Sequence, residues 1–269
     1  MRAQLPVGTA EASPPLDGGS SPRRPSISVV IPAKNEAANI GWVLARIPDV
    51  VDEVIVVDGL SGDGTLAVAK SIRPDVIVVH ETRPGKGAAL RAGFAAATGD
   101  YVVMFDADGS MDPGEIGRFV DALEAGVDLV KGSRHTAGGR STDITPLRHI
   151  GNMALLRMAN AVYGARFSEL CYGYMAFRRA TIDSLRLDAR GFEVEAQIVS
   201  RALRAGLRVV EVPSTESRRM NGSSNLRPVR DGSRVLWTII RERRWRSGRA
   251  PRTVAIPVGS DRDIADPGR

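Results

Sequence analysis

Tyr101-Val102-Val103-Met104-Phe105-Asp106-Ala107-Asp108-Gly109-Ser110 is an apolar run that stops at two carboxylates separated by one small residue. Five successive apolar or aromatic residues suit a strand covered on both faces, and Gly109 suits the turn after it. In extended backbone, residues two apart point the same way, so Asp106 and Asp108 are placed to converge on one divalent cation or one nucleotide. Hard cations such as Mg²⁺ and Mn²⁺ take oxygen ligands and share them with phosphates. The same spacing also suits a solvated Asp-x-Asp turn ahead of a helix starting near Pro113, because helix N-termini attract Asp. The stretches upstream decide between the two.

Ile27-Ser28-Val29-Val30-Ile31 reads as a strand that Pro32 should end, for want of an N–H. After the loop Pro32-Ala33-Lys34-Asn35-Glu36, Ile40, Val43, Leu44 and Ile47 recur at helical spacing, and Pro48 closes that helix. Val54–Val57 is a second strand, and the turn formers from Asp58 to Thr65 feed a helix expected to turn Ala67, Val68 and Ile72 inward. Val76–Val79 is a third strand, followed by an alanine-rich helix from Lys86 to Ala97. Strands alternating with helices predict an α/β fold with a mostly parallel, Rossmann-like sheet whose ligands sit at the carboxyl ends of the strands. Pro32, Asp58, Lys86 and Asp106 all fall on that edge. The first strand–helix junction lacks G-x-G-x-x-G, and Gly85-Lys86-Gly87 does not complete a P-loop. Further on, Val127–Val130 reads as a strand, Lys131–Thr145 as a long Gly-rich loop suited to a lid, and Leu147–Tyr163 as a helix. Gly191–Glu195 opens a helix to Ala205, and Val209–Pro213 returns as a short strand.

The chain has 269 residues, 43% of them hydrophobic, which suits one domain, expected over residues 26–245. Residues 1–25, rich in Pro, Gly, Ser and Ala and without a signal-peptide pattern, and the basic residues 246–269 are expected to be disordered tails. No segment approaches the ~20 apolar residues that span a bilayer. The single cysteine, Cys171, excludes an internal disulfide and suits a reducing cytoplasm. A net charge of +6, with Arg241, Arg243, Arg244, Arg246 and Arg249 crowded together, calls for an anionic partner or a solvated tail. Aromatic residues make up only 5% and do not interleave with the basic run, which argues against nucleic acid and leaves an anionic membrane face or a phosphorylated substrate.

Four motifs in register carry a resemblance: Pro32-Ala33-Lys34-Asn35-Glu36, Asp58 with Ser61-Gly62-Asp63-Gly64-Thr65, Gly85-Lys86-Gly87-Ala88-Ala89 and Asp106-Ala107-Asp108. In order and spacing the chain resembles the family 2 glycosyltransferases of the GT-A fold, over about Ser26 to Arg244. Within them it is most similar to the dolichyl- or polyprenyl-phosphate mannosyltransferase and glucosyltransferase branch. Gly132-Ser133-Arg134, Arg148, Glu169-Leu170-Cys171-Tyr172-Gly173-Tyr174 and Arg218 to Leu226 carry that likeness. The chain departs from the branch at Gly59, Ser110, Glu169 and Asn225, and in having Tyr172-Gly173-Tyr174 where the branch has Ser/Thr-Gly-Phe.

The resemblance implies a metal-dependent, inverting transfer of a sugar from a UDP- or GDP-sugar to a polyprenyl-phosphate-type acceptor. Pro32, Asn35, Glu36, Asp58, Lys86, Asp106 and Ala107 would bind the donor. Asp106 and Asp108, with His135 the histidine nearest the motifs, would hold Mg²⁺ or Mn²⁺. Arg134, Arg148 and Arg219, with Ser223 beside the last, would hold an acceptor phosphate, since guanidinium matches phosphate in bidentate fashion. Asp108, Arg134 and Glu169 are the expected catalytic residues. Glu169 leads Glu193 and Glu195 as the base an alcohol acceptor would need. Two alternatives stand beside this: the same donor chemistry onto a soluble acceptor, and a non-catalytic basic module. Reversible contact with an anionic membrane face is expected, and the oligomeric state is left open, a homodimer included.

Overall fold

The computed structural model describes residues 23–246, so most of both expected tails, 1–22 and 247–269, lies outside the described residues. Seventeen elements follow in order: β1 (Ile27–Ala33), α1 (Ala37–Leu44), β2 (Glu53–Asp58), α2 (Thr65–Ile72), β3 (Ile77–His80), α3 (Lys86–Ala96), β4 (Tyr101–Met104), α4 (Ile116–Glu124), β5 (Leu129–Ser133), β6 (Arg140–Ser141), α5 (Pro146–Tyr163), β7 (Met175–Arg178), α6 (Arg179–Leu185), α7 (Val194–Arg204), β8 (Val209–Pro213), β9 (Thr215–Glu216) and α8 (Pro228–Glu242). A seven-stranded sheet runs β3-β2-β1-β4-β7-β5-β8, parallel except at β7, and β6 pairs with β9 in a small second sheet.

Alternation along the central strands divides the core. Val29, Ile31, Val54, Val56 and Val103 join the cluster of α1 and α4, while Val30, Ile55, Val57, Val102 and Met104 join that of α3 and α7. Both faces of the sheet are thereby covered, as continuous apolar runs require. Because β7 is antiparallel, its N-terminal approach, Tyr172-Gly173-Tyr174, reaches the same edge as the carboxyl ends of β1, β2 and β4. That reversal brings the second half of the chain onto the ligand edge.

Several sequence expectations change. Pro32 lies inside β1, paired in register with Val57. Ala33 accepts from Gly59 on the β2 side, so Pro32 faces the other way, where pairing with β4 has already ended at Met104, and its missing N–H costs no ladder bond. Ala67 and Ile72 of α2 face solvent; Thr65 and Ala69 are buried instead. The stretch 131–145 is no free loop, since Lys131–Ser133 extends β5 and Arg140–Ser141 is pinned to Thr215–Glu216. The strand β7 was not foreseen. Its four residues are too few for a period to show.

Candidate active site

The apolar run from Tyr101 leaves the sheet at Met104, where β7 also ends its pairing, so Asp106-Ala107-Asp108 forms a turn and not extended strand. The two carboxylates line one cavity of about 980 Å³ but hold different partners. Lys86, at the start of α3, places Nζ 2.6 Å from Asp106 Oδ1 and 2.8 Å from Glu195 Oε1 of α7. Burial alone would pull this ammonium down, but Asp106 and Glu195 outweigh it and hold it above the ordinary lysine value. Burial also pushes the Asp106 carboxyl up to about 6; Lys86 opposes that shift, while Asp108 and Glu195 add to it. A Cβ on Gly173 would lie 2.7 Å from Lys86 Nζ and 2.9 Å from Glu195 Oε1. Only glycine lets the backbone approach this cluster so closely.

Asp108 Oδ1 accepts from the Ser110 amide at 3.0 Å, and Oδ2 from Arg219 at 3.2 Å. Arg219 also donates to Glu36 Oε1 at 2.5 Å and to the Asn221 carbonyl at 2.7 Å, so it ties the first loop to the acidic turn. Asn39 donates to the other Glu36 oxygen at 2.7 Å. Asn35 and Asp58 sit behind this surface. Asn35, at φ 57°, accepts from Gly62, and Asp58 accepts from the Ser61 amide, so each shapes the 58–65 loop. Pro32, Glu36, Lys86, Asp106, Ala107 and Asp108 line the cavity; Asn35, Asp58 and Ser223 are not among its lining residues.

The helical side carries larger corrections. Glu169, expected as a base, is wholly buried. It takes Arg134 Nε at 2.7 Å through Oε2 and the Leu170 and Cys171 amides through Oε1. Burial would raise its pKa, but Arg134 outweighs that and holds it below the usual carboxylate value. It is not among the residues that line the cavity. Arg134 reaches the cavity wall, yet it also pairs with Glu216 at 2.9 Å and lies over the Tyr172 ring at 4.9 Å. Arg148 lines the cavity with Asp143, at 3.4 Å, as its one charged partner among the described residues. His135 turns from the carboxylates: its Nε2 is 3.7 Å from Glu169, and its ring meets His149 edge-on at 5.5 Å. Among the described residues no three of His, Cys, Asp and Glu converge on a metal position.

The donor set fits a hard divalent cation nonetheless. Asp106 and Asp108 offer only oxygen, and both line the cavity. Mg²⁺ in particular needs only one or two carboxylates when phosphates and water supply the rest. Sequence reasoning missed Glu216, Lys131 and the α8 wall. Lys131 is fully buried in β5 and donates to the Tyr172 carbonyl at 2.8 Å, holding the Tyr172-Gly173 turn. A lysine inside an otherwise apolar strand was the available sign.

A mostly parallel sheet with an acidic turn, a buried lysine and an open cavity at its carboxyl edge has the architecture of the GT-A transferases, and the comparisons agree. The profile of Glycosyl transferase family 2 matches residues 28–186, and the chain belongs to that family. It is a hexosyltransferase. It is 33% identical over 230 residues to polyprenol monophosphomannose synthase of Mycolicibacterium smegmatis, covering 81% of this chain and 85% of that one. Undecaprenyl-phosphate mannosyltransferase of Micrococcus luteus is 32% identical over 231 residues, covering 81% and 93%. Among solved structures, glucosyl-3-phosphoglycerate synthase of Mycobacterium tuberculosis in complex with Mn²⁺, UDP-glucose and phosphoglyceric acid matches with a TM-score of 0.65 and 30% identity, over 81% of this chain and 80% of that one.

Proposed function

We propose that the protein transfers a hexose from a UDP- or GDP-sugar to a polyprenyl phosphate, with Mg²⁺ or Mn²⁺ at Asp106 and Asp108. The observation that carries this is one cavity with two unlike walls. The strand-end wall presents Asp106, Asp108, Lys86 and Arg219, and the helical wall between α5 and α8 presents Leu155, Leu226, Pro228, Val229 and Val235. The first suits a nucleoside diphosphate; the second suits an isoprenoid chain. The cation, when bound, neutralises charge on the departing diphosphate.

Glu36 and Ala107 frame the donor, while Asn35 and Asp58 hold the loops that carry it. Lys86, fixed by Asp106 and Glu195, supplies a desolvated positive charge beside the leaving group. Arg148 of α5 meets the acceptor phosphate, while Arg134, just past β5, lines the same cavity. An ionised phosphate has no proton to surrender, which agrees with Glu169 being closed off. A second reading has its own support: a solved neighbour binds phosphoglyceric acid, a soluble acceptor that also carries anionic oxygens. Labelled UDP- and GDP-sugars, offered with Mn²⁺ and either polyprenyl phosphate or phosphoglycerate, separate the two. The proposal expects label in the organic phase; label only in a soluble phosphorylated product would replace it with the second reading.

A further inference from the structure

The outer side of α8 takes no part in this site. The helix separates two clefts: Pro228, Val229, Asp231, Gly232 and Val235 line the large cavity, whereas Arg230, Arg234, Trp237 and Arg241 line a second cleft of about 520 Å³ that Arg190 also lines. Positions 230, 234, 237 and 241 recur at i, i+4, i+7 and i+11, a single stripe on a helix. Trp237 is 64% exposed, and Val229 and Ile240, roughly a quarter-turn round the helix from the stripe, are exposed too.

The positive charge of this stripe is poorly neutralised. Among the described residues Arg190 and Arg230 enter no ion pair, and Arg234 has only Asp231 at 3.7 Å. Asp188 in this cleft takes Arg201 and Arg241; Glu193 Oε1 accepts from the Arg190 and Gly191 amides, while its buried Oε2 has no hydrogen-bond partner among the described residues. An exposed indole framed by guanidinium groups, with exposed aliphatic side chains on its flank, matches a phospholipid interface, where the indole sits at headgroup depth and the arginines meet phosphate. Single-stranded nucleic acid would ask for several stacking rings, and the stripe has one.

We propose that this face of α8 docks the protein on an anionic bilayer. Val229, which is 86% exposed and also lines the large cavity, then brings the cavity mouth to the lipid surface. The consequence for acceptor delivery rests on the polyprenyl-phosphate reading; the docking does not.

Co-sedimentation of the full chain with phosphatidylcholine vesicles, plain or enriched in phosphatidylglycerol, tests the docking. Binding is expected only to the anionic vesicles and should weaken at high salt. The double substitution Arg230→Glu and Arg234→Glu should lower vesicle affinity at least about tenfold, since each basic residue at an anionic surface contributes measurably. It should leave the melting temperature and turnover on a short, water-soluble polyprenyl phosphate unchanged. Tryptophan emission should shift to the blue on binding, and Trp237→Phe should remove that shift. Unchanged vesicle binding by the double variant, absence of binding by the wild type, or binding to single-stranded RNA in place of vesicles would overturn the proposal. Loss of turnover with docking intact would count against the functional reading alone.

Discussion

On the strand-end wall of the cavity the carboxylates keep their charge turned toward the ligand space, whereas just past β5 an arginine has been claimed by carboxylates of its own. Asp106 and Asp108 remain in contact with the cavity, one beside a lysine and one beside an arginine. Arg134, by contrast, is nearly enclosed between Glu169 and Glu216, with side-chain exposure of 2%. The first arrangement leaves capacity for a cation and a diphosphate; the second builds a stiff partition. A charged residue in a motif therefore serves the ligand or the fold according to how many partners the protein already gives it.

That contrast can be broken most sharply at the acidic turn. Asp108→Ala and Asp106→Ala should each lower metal-dependent transfer by on the order of 10³-fold, because the cation carries leaving-group charge. The melting temperature should stay near wild type for Asp108→Ala and fall modestly for Asp106→Ala, which leaves Lys86 with Glu195 as its remaining carboxylate. Steady-state rates at saturating Mn²⁺ check this, and full activity in either variant would erase the distinction between the walls.

Glu169→Gln probes the other plan. Removing one member of a buried ion pair typically costs about 3–5 kcal/mol, so the variant should unfold at lower denaturant concentration. Its donor affinity should persist where the fold persists. A selective loss of turnover at unchanged stability would instead restore Glu169 as a base.

The pH dependence sharpens the strand-end wall. Burial lifts the Asp106 carboxyl to about 6, so a proton competes with the cation below that value and leaves above it. Mn²⁺ affinity should be flat above about pH 7 and fall by about tenfold per unit below the pKa. Calorimetric titrations across that range would show a flat profile if Asp106 is not a ligand. The smallest effect belongs to Arg148→Ala. With one weak partner at 3.4 Å, Arg148 is free to meet a phosphate, and its loss should raise the acceptor KM by about tenfold, with kcat for a saturating acceptor nearly unchanged.

The two walls also differ in how much the sequence disclosed. The strand-end wall is made of contiguous loops after successive strands, so Pro32, Glu36, Lys86 and the Asp106 turn could be read from strand pattern and turn chemistry. Other parts of the site draw on residues far apart in the chain: Arg134 meets Glu216 across 82 positions, and Lys86, on the strand-end wall, meets Glu195 across 109. No local period encodes such pairings. Glu169 shows the limit plainly, because its place in a motif gave no sign that both its oxygens would be used inside the protein. No element was expected over Pro228–Glu242, and only the helix found there puts its arginines and Trp237 on one side.

The claim on which the rest depends is that Asp106 and Asp108 together hold a divalent cation beside the nucleotide. Titration of Mn²⁺ followed by electron paramagnetic resonance, with and without UDP or GDP, addresses it without any acceptor. The account predicts that the wild-type protein binds Mn²⁺ more tightly when the nucleotide is present and that Asp106→Ala combined with Asp108→Ala abolishes this binding. Equal Mn²⁺ affinity in the wild type and the double variant, with nucleotide present, would contradict it.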